Sequence, residues 1–229
     1  IGGSNINANQ LASLETLPGC SGIKVFMGSS FGDLLVDDET ILKHILSTGN
    51  RRVAIHAEDE ARLRSRKHLV ESSQQVKDHP TWRDVESALI ATKRVVTLAE
   101  KYNRKLHVLH ISTAEEIAFL AEHKSHVNVE VTPQHLTLMA PDCYDTLGTL
   151  AQMNPPIREK RHQQALWEAI NNGIVDVIGS DHAPHTLDEK AQPYPNSPSG
   201  MTGVQTLLPI MLDHVHKQRL SIERLIDLT

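Results

Sequence analysis

Short apolar runs alternate with longer amphipathic segments along this chain, a pattern that packs as α/β architecture with parallel strands. The runs occupy residues 23–27, 53–55, 106–111, 127–131 and 175–180. Between them the spacing predicts a helix over 39–47, capped by Asp37 or Asp38 and stopped by Gly49. Residues 61–79 are charged and irregular, read as a helix and a loop. A long helix over 82–102 follows, burying Ala88, Leu89, Thr92, Val95, Val96 and Ala99 along one stripe. Ser112 and Glu115 form a capping box for the helix that carries Ile117, Phe119 and Leu120. Pro133, Gln134 and His135 fall in a loop, and another helix covers 159–171. Residues 186–203, rich in Pro, Gly and Ser, read as a long surface loop of the functional kind.

Repeated strand–helix units suit either an open doubly wound sheet or part of a (β/α)8 barrel. Polar residues favour the barrel. Lys24 lies within its strand, and His56, His110 and Asp181 fall at strand C-terminal ends, which converge on one mouth in a barrel. No glycine-rich phosphate fingerprint follows a strand. The expected fold is therefore α/β, a partial TIM-type barrel holding roughly strands 4 to 8. The chain opens at Ile1 without a Met and closes inside a helix, so residues 1–229 read as one piece of a larger catalytic domain.

The net charge is -5 and the charges are interspersed, which argues against a nucleic-acid partner. No apolar run reaches membrane-spanning length, and nothing resembles a signal peptide. Cys20 and Cys143 are too few and too isolated for a disulfide framework, which fits a cytoplasmic location.

The chain holds 14 histidines, and their placement matters more than their number. Imidazole and carboxylate are ordinary zinc ligands, so His56, His110 and Asp181 on three separate strand ends form a candidate metal site. His107 falls too early in its strand and reads as structural. A lysine inside an apolar strand is costly unless paired, neutral or modified. An ion pair from Lys24 to Asp181 or Glu58 is the simplest account; a carbamate formed from the neutral amine and carbon dioxide is the other.

The segments Gly22-Ile23-Lys24-Val25-Phe26-Met27-Gly28, Ile55-His56-Ala57-Glu58-Asp59, Val108-Leu109-His110-Ile111-Ser112 and Gly179-Ser180-Asp181-His182-Ala183-Pro184-His185 resemble the amidohydrolase superfamily, and within it the dihydroorotases. Asn154-Pro155-Pro156 and the Asp188 to Gly200 loop share the likeness. The resemblance implies that Lys24, carboxylated, bridges two zinc ions, with His56 and His110 on one and Asp181 on the other. It implies that Asp181 is the catalytic base and then acid, and that Asn154 and His185 hold the substrate, helped by backbone groups around Ser199 and Gly200. The implied reaction is the reversible hydrolysis of dihydroorotate to N-carbamoyl-L-aspartate in pyrimidine synthesis, by a homodimer acting on a small molecule. Family members begin the barrel with a strand ending in His-x-His. This chain is read as lacking that motif, so zinc is expected to bind these residues poorly on their own. Gln134, where many relatives have His, and His135 receive no catalytic role.

Three alternatives stand beside this reading. An allantoinase or dihydropyrimidinase-type hydrolase would share the metals, but generally lacks the second His after the Asp, here His185. A catalytically silent scaffold would usually have lost ligands by substitution. A doubly wound binding module with incidental histidines would bind no metal.

Overall fold

The computed structural model describes residues 1–28 and 33–229, so the Gly/Ser loop expected after the first run lies partly outside the described residues. Five strands form one sheet: β1 (Ile23–Phe26), β2 (Val53–His56), β3 (Leu106–Val108), β4 (Val127–Val131) and β5 (Val177–Ile178). Their spatial order is β1-β2-β3-β4-β5, and every pairing is parallel. A doubly wound sheet reverses its direction of growth at a switch point. This one never reverses, which is how a barrel is laid down, and the open-sheet alternative falls. On the outer side of β1 the chain adds one further parallel bridge, Gly2 to Lys24.

The sheet has two unlike faces, because successive side chains in a strand point to opposite sides. Ile23, Val25, Val53, Ile55, Leu106, Val108, Val127 and Val129 are all at most 2% exposed and form the sheet's contribution to the main core. Against them pack Leu42, Ile45 and Leu46 from the helix Glu39–Ser47, Ala91, Val95, Val96 and Ala99 from Val85–Lys101, and Leu166, Ala169 and Ile170 from Lys160–Asn171. The other face carries Lys24, Ala54, His107 and Asn128 in one register row. Phe26 and His56 form the next row.

Several sequence expectations need correction. The long helix expected over 82–102 forms as Val85–Lys101, and a separate short helix, His79–Trp82, precedes it. The Asp84 side chain accepts from Ser87 N and caps the longer helix, and Leu89 is only half-buried. The helix Ala114–Ala121 is capped one residue later than Ser112 and Glu115 suggested. Thr113 accepts from Glu116 N and donates to the Glu116 carboxylate. Ser112 instead accepts from Arg158. Pro133, Gln134 and His135 sit in a short helix, Pro133–Thr137, opened by Thr132. The 186–203 segment is more than a surface loop. It contains the helix Leu187–Lys190 with a Thr186/Glu189 capping box, and it buries Lys190, Tyr194 and Ser197.

Other expectations hold. Asp38 caps Glu39–Ser47, Gly49 follows with φ 76°, and both cysteines are unpaired. No helix among the described residues is long and apolar enough to cross a membrane.

Beneath the strand N-termini, Glu15 and Arg104 form an ion pair at 2.6 Å, each side chain 3% exposed. Glu15 also accepts from the backbone N–H of Asn50 and Arg51, and Arg104 donates to Thr48 O. Burial opposes ionisation of Glu15, but these N–H donors and the guanidinium outweigh it and hold the carboxyl below its ordinary value. Removing one partner of such a pair leaves the other charge buried and alone. Glu15→Ala is expected to lower unfolding free energy by about 3–5 kcal/mol in urea titration at neutral pH. A depressed carboxyl stabilises the fold above its unfolded pKa and loses that contribution as pH falls. The gap between wild type and variant should therefore narrow on acidification below 4.5.

Candidate active site

Two of the candidate residues sit in unusual backbone. His110 has φ 39° and Asp181 has φ 40°, left-handed values that non-glycine residues seldom adopt. Both lie beyond the last residue of the strand before them, β3 ending at Val108 and β5 at Ile178. The bend after each strand also re-aims the side chain. Left-handed backbone away from glycine is held by its surroundings and clusters at functional sites.

His56, the last residue of β2, and His110, just past β3, meet edge to face with ring centroids 4.7 Å apart. His56 Nδ1 lies 3.0 Å from His110 Nε2. His56 Nε2 is 2.8 Å from Glu58 Oε2, and Glu58 is completely buried. Arg83, 1% exposed, binds Glu58 through both Nε and Nη2. Burial works against ionisation of Glu58, but Arg83 and His56 prevail and hold its carboxyl well below the usual range. An ionised Glu58 can only accept, so His56 carries its proton on Nε2 and leaves Nδ1 bare. His110 Nε2 then donates to that nitrogen, and His110 Nδ1 is left buried without a partner. Burial lowers the pKa of both rings, offset at His56 by Glu58 and reinforced at His110 by His56 and Lys24.

Lys24 projects from β1 onto the polar face, its Nζ 4.2 Å from the centre of the Phe26 ring. It shares a cavity of about 290 Å³ with Ala54, Arg52 and His107. Among the described residues no carboxylate lies within ion-pairing distance of it, so the pairing with Asp181 or Glu58 is not formed. Burial lowers the amine to about 8, moderated by the more distant charges of Asp181 and Glu130. Asp181 moves the other way. Burial raises its carboxyl to about 6, opposed by Lys24.

Glu130 was not singled out in the sequence. It accepts from His107 Nε2 at 2.8 Å and from the His110 backbone N–H at 3.2 Å, so it holds the left-handed turn in place. A signal was available: Glu130 is a charge inside an apolar strand, the same anomaly that marks Lys24. His107 is thus a support for Glu130 on the polar face.

The four candidate substrate residues lie on two segments that touch. Asn154 Oδ1 is 2.9 Å from His79 Nε2. His185 Nε2 is 3.3 Å from Ser199 O. Gly200 has φ 148°, and a Cβ there would meet Ala183 O at 2.5 Å and His185 Cδ2 at 3.1 Å. Gln152 joins the segments: its O accepts from Gly200 N, and its Nε2 donates to Ser197 O and Ser199 Oγ. Lys190 Nζ donates to the carbonyls of Gln152, Pro198 and Gly200 at 2.9–3.0 Å. Gln134 Nε2 binds Ser180 O, next to Asp181, and His135 Nε2 binds Pro155 O.

The letters His-x-His do occur, in His214-Val215-His216. That copy ends the helix Leu207–His216, with His214 packed on Trp167 and bonded to Thr137, so it is not a strand-end motif.

Among the described residues no three His, Cys, Asp or Glu side chains converge closely enough to hold a metal. The His56–His110 pair nonetheless fits one. Two imidazole nitrogens on a tetrahedral zinc, each at about 2.0–2.1 Å, stand about 3.3 Å apart. The observed 3.0 Å is close to that. Glu58, donating nothing and fixing the His56 proton, is the outer carboxylate that metal-bound histidines commonly have.

No protein-family model matches the chain. It is 34% identical over 208 residues to the dihydroorotase of Halobacterium salinarum, covering 90% of this chain and 48% of that protein. It is 32% identical over 240 residues to the dihydroorotase of Methanosarcina mazei, covering 100% and 52%. Its fold superposes on L-hydantoinase (dihydropyrimidinase) from Arthrobacter aurescens with a TM-score of 0.91 at 25% identity, over 99% of this chain and 53% of that one. The chain thus spans about half the length of the curated relatives it matches.

Gly179 provides a direct test of the Glu130 support. A Cβ there would lie 2.4–2.7 Å from three atoms of the Glu130 carboxyl group. That group is pinned by His107 and His110 and cannot swing away freely. Gly179→Ala should cost about 1–3 kcal/mol by overpacking. Thermal unfolding should show a lowered midpoint, and Gly179→Ala with Glu130→Ala should recover part of it.

Proposed function

The chain belongs to the amidohydrolase superfamily of cyclic amidohydrolases, and from that premise we propose that it forms roughly strands 4 to 8 of a dihydroorotase barrel. The observation that carries the metal-dependent reading is the His56–His110 pair, two buried imidazoles whose nitrogens lie 3.0 Å apart, with the proton of His56 fixed by Glu58. The proposed enzyme interconverts dihydroorotate and N-carbamoyl-L-aspartate, as a cytoplasmic homodimer.

His56 and His110 would hold one zinc ion, Asp181 the other, and carboxylated Lys24 would bridge them. Zinc bound there supplies Lewis acidity, for the ring carbonyl and for the attacking water. The residues themselves do the rest. Burial leaves part of the Lys24 amine neutral near its value of about 8. The neutral nitrogen adds to the carbon of carbon dioxide and releases one proton, leaving a carbamate. Asp181, with its carboxyl near 6, accepts a proton from water as the water oxygen adds to the ring amide carbon. It then returns that proton to the ring nitrogen as the C–N bond breaks. Asn154 and His185 hold the substrate carboxylate and ring. The Gly200 N–H is already given to Gln152, so Ser199 and Gly200 contribute chiefly the wall that seats His185.

The structural likeness to a hydantoinase keeps a second reading in view, a hydrolase of uncharged cyclic ureides. The complete protein decides between them. It should bind about two zinc ions per chain, as two-metal sites do, and prefer dihydroorotate to dihydrouracil, hydantoin and allantoin. Asp181→Asn should lower turnover by about 10²–10⁴-fold. His185→Ala should lose dihydroorotate turnover while keeping zinc. Faster hydrolysis of the uncharged rings would replace the dihydroorotase reading, and absence of both zinc and turnover would favour a silent scaffold.

A further inference from the structure

We propose that His79 and Tyr194 lock the Asn154 carboxamide in one orientation, so that it offers a bound ligand N–H donors only and selects a carboxylate. The inference rests on the proposed role of Asn154 in holding substrate. It adds two positioning residues and a rule of selection.

His79 is completely buried at the start of the helix His79–Trp82. Its Nε2 faces two oxygens, Asn154 Oδ1 at 2.9 Å and Met153 O at 3.1 Å. Met153 O is a carbonyl and can only accept, so Nε2 must carry the proton. Its Nδ1 is then bare and lies 3.0 Å from the Tyr194 hydroxyl, which donates to it. With His79 N–H pointing at the Asn154 side chain, the atom facing it must be the acceptor, Oδ1. The reverse orientation would set the amide N–H₂ against an N–H and leave a buried donor without a partner. Asn154 Nδ2 has no hydrogen-bond partner among the described residues, and Asn154 is half-buried, so those donors remain for a ligand.

The relay's protonation is steady. Burial, and then the charge of Arg83, depress His79 to about 3, against weaker support from Asn154, Glu58 and Met153. The ring stays neutral at neutral pH, with one proton to place. Tyr194 itself is buried and meets His79 at right angles, ring centroids 5.7 Å apart. Through Tyr194 the orientation of Asn154 is tied to the 186–203 segment that also carries Ser199 and Gly200.

A carboxylate fits two N–H donors, whereas a carboxamide in its place can turn only its oxygen toward them. The test compares dihydroorotate with its carboxamide analogue on the complete enzyme, by kcat/KM and by calorimetric dissociation constants. His79→Phe should reduce the carboxylate preference by about tenfold, the worth of a lost hydrogen bond to a charged group. The change should lie mainly in KM. His79→Gln can place an N–H near Nε2 and should keep the preference within about threefold. Tyr194→Phe should give an intermediate loss in a protein that still folds, its melting temperature lowered by the unpaired His79 Nδ1. An unchanged preference in folded His79→Phe, or equal losses in the Phe and Gln variants, overturns the proposal. Should His79→Phe fail to fold, Tyr194→Phe decides, and an unchanged preference there overturns the proposal. Asn154→Ala separates the two readings. If it leaves dihydroorotate affinity unchanged, the substrate role of Asn154 is wrong. If it abolishes the preference while the His79 and Tyr194 variants do not, the relay alone is wrong.

Discussion

The division of the sheet into two faces is the constraint on which everything else depends. One face is a closed layer of Ile, Val and Leu pressed on the helices, and the other is polar. A register slip of one residue would exchange the faces and place Lys24, His56, His107 and Glu130 among the helices. The apolar face therefore sets the register, and the register sets which polar side chains meet. The candidate chemistry is a by-product of packing on the far side of the same strands.

On the polar face the charges are held in graded ways. Glu58 and Arg83 are paired at contact, and their pairing decides where the His56 proton sits. Lys24 and Asp181 are not paired at contact, and burial moves each toward neutrality. A fully satisfied ion pair would have locked both groups in their charged forms. Left apart, they keep values from which a proton can be exchanged near neutral pH. The structure thus separates fixed charges, which orient, from adjustable ones, which can react.

The sequence made some of this legible and not the rest, for physical reasons. The apolar alternation located all five strands, because burial on one face imposes it directly. The strand ends were less legible. His110 and Asp181 leave the ladder through left-handed backbone, which their local sequences do not announce. The capping shift from Ser112 and Glu115 to Thr113 and Glu116 arose because adjacent residues offer equivalent caps, and tertiary contact with Arg158 claims the Ser112 hydroxyl. His79 could not have been found at all. Its partners Asn154 and Tyr194 lie 75 and 115 residues away, and nothing near it in sequence hints at them. Glu130 could have been found by the reasoning already applied to Lys24.

Lys24 lies in the first strand of the sheet and Asp181 just past the last, yet each feels the other's charge. Four spacings of about 4.8 Å would set those strands about 19 Å apart if the sheet were flat. At that separation the attraction between the two groups would be much weaker than at close range. Their interaction is a chord across a bend. These five strands already carry part of the curvature of a cylinder.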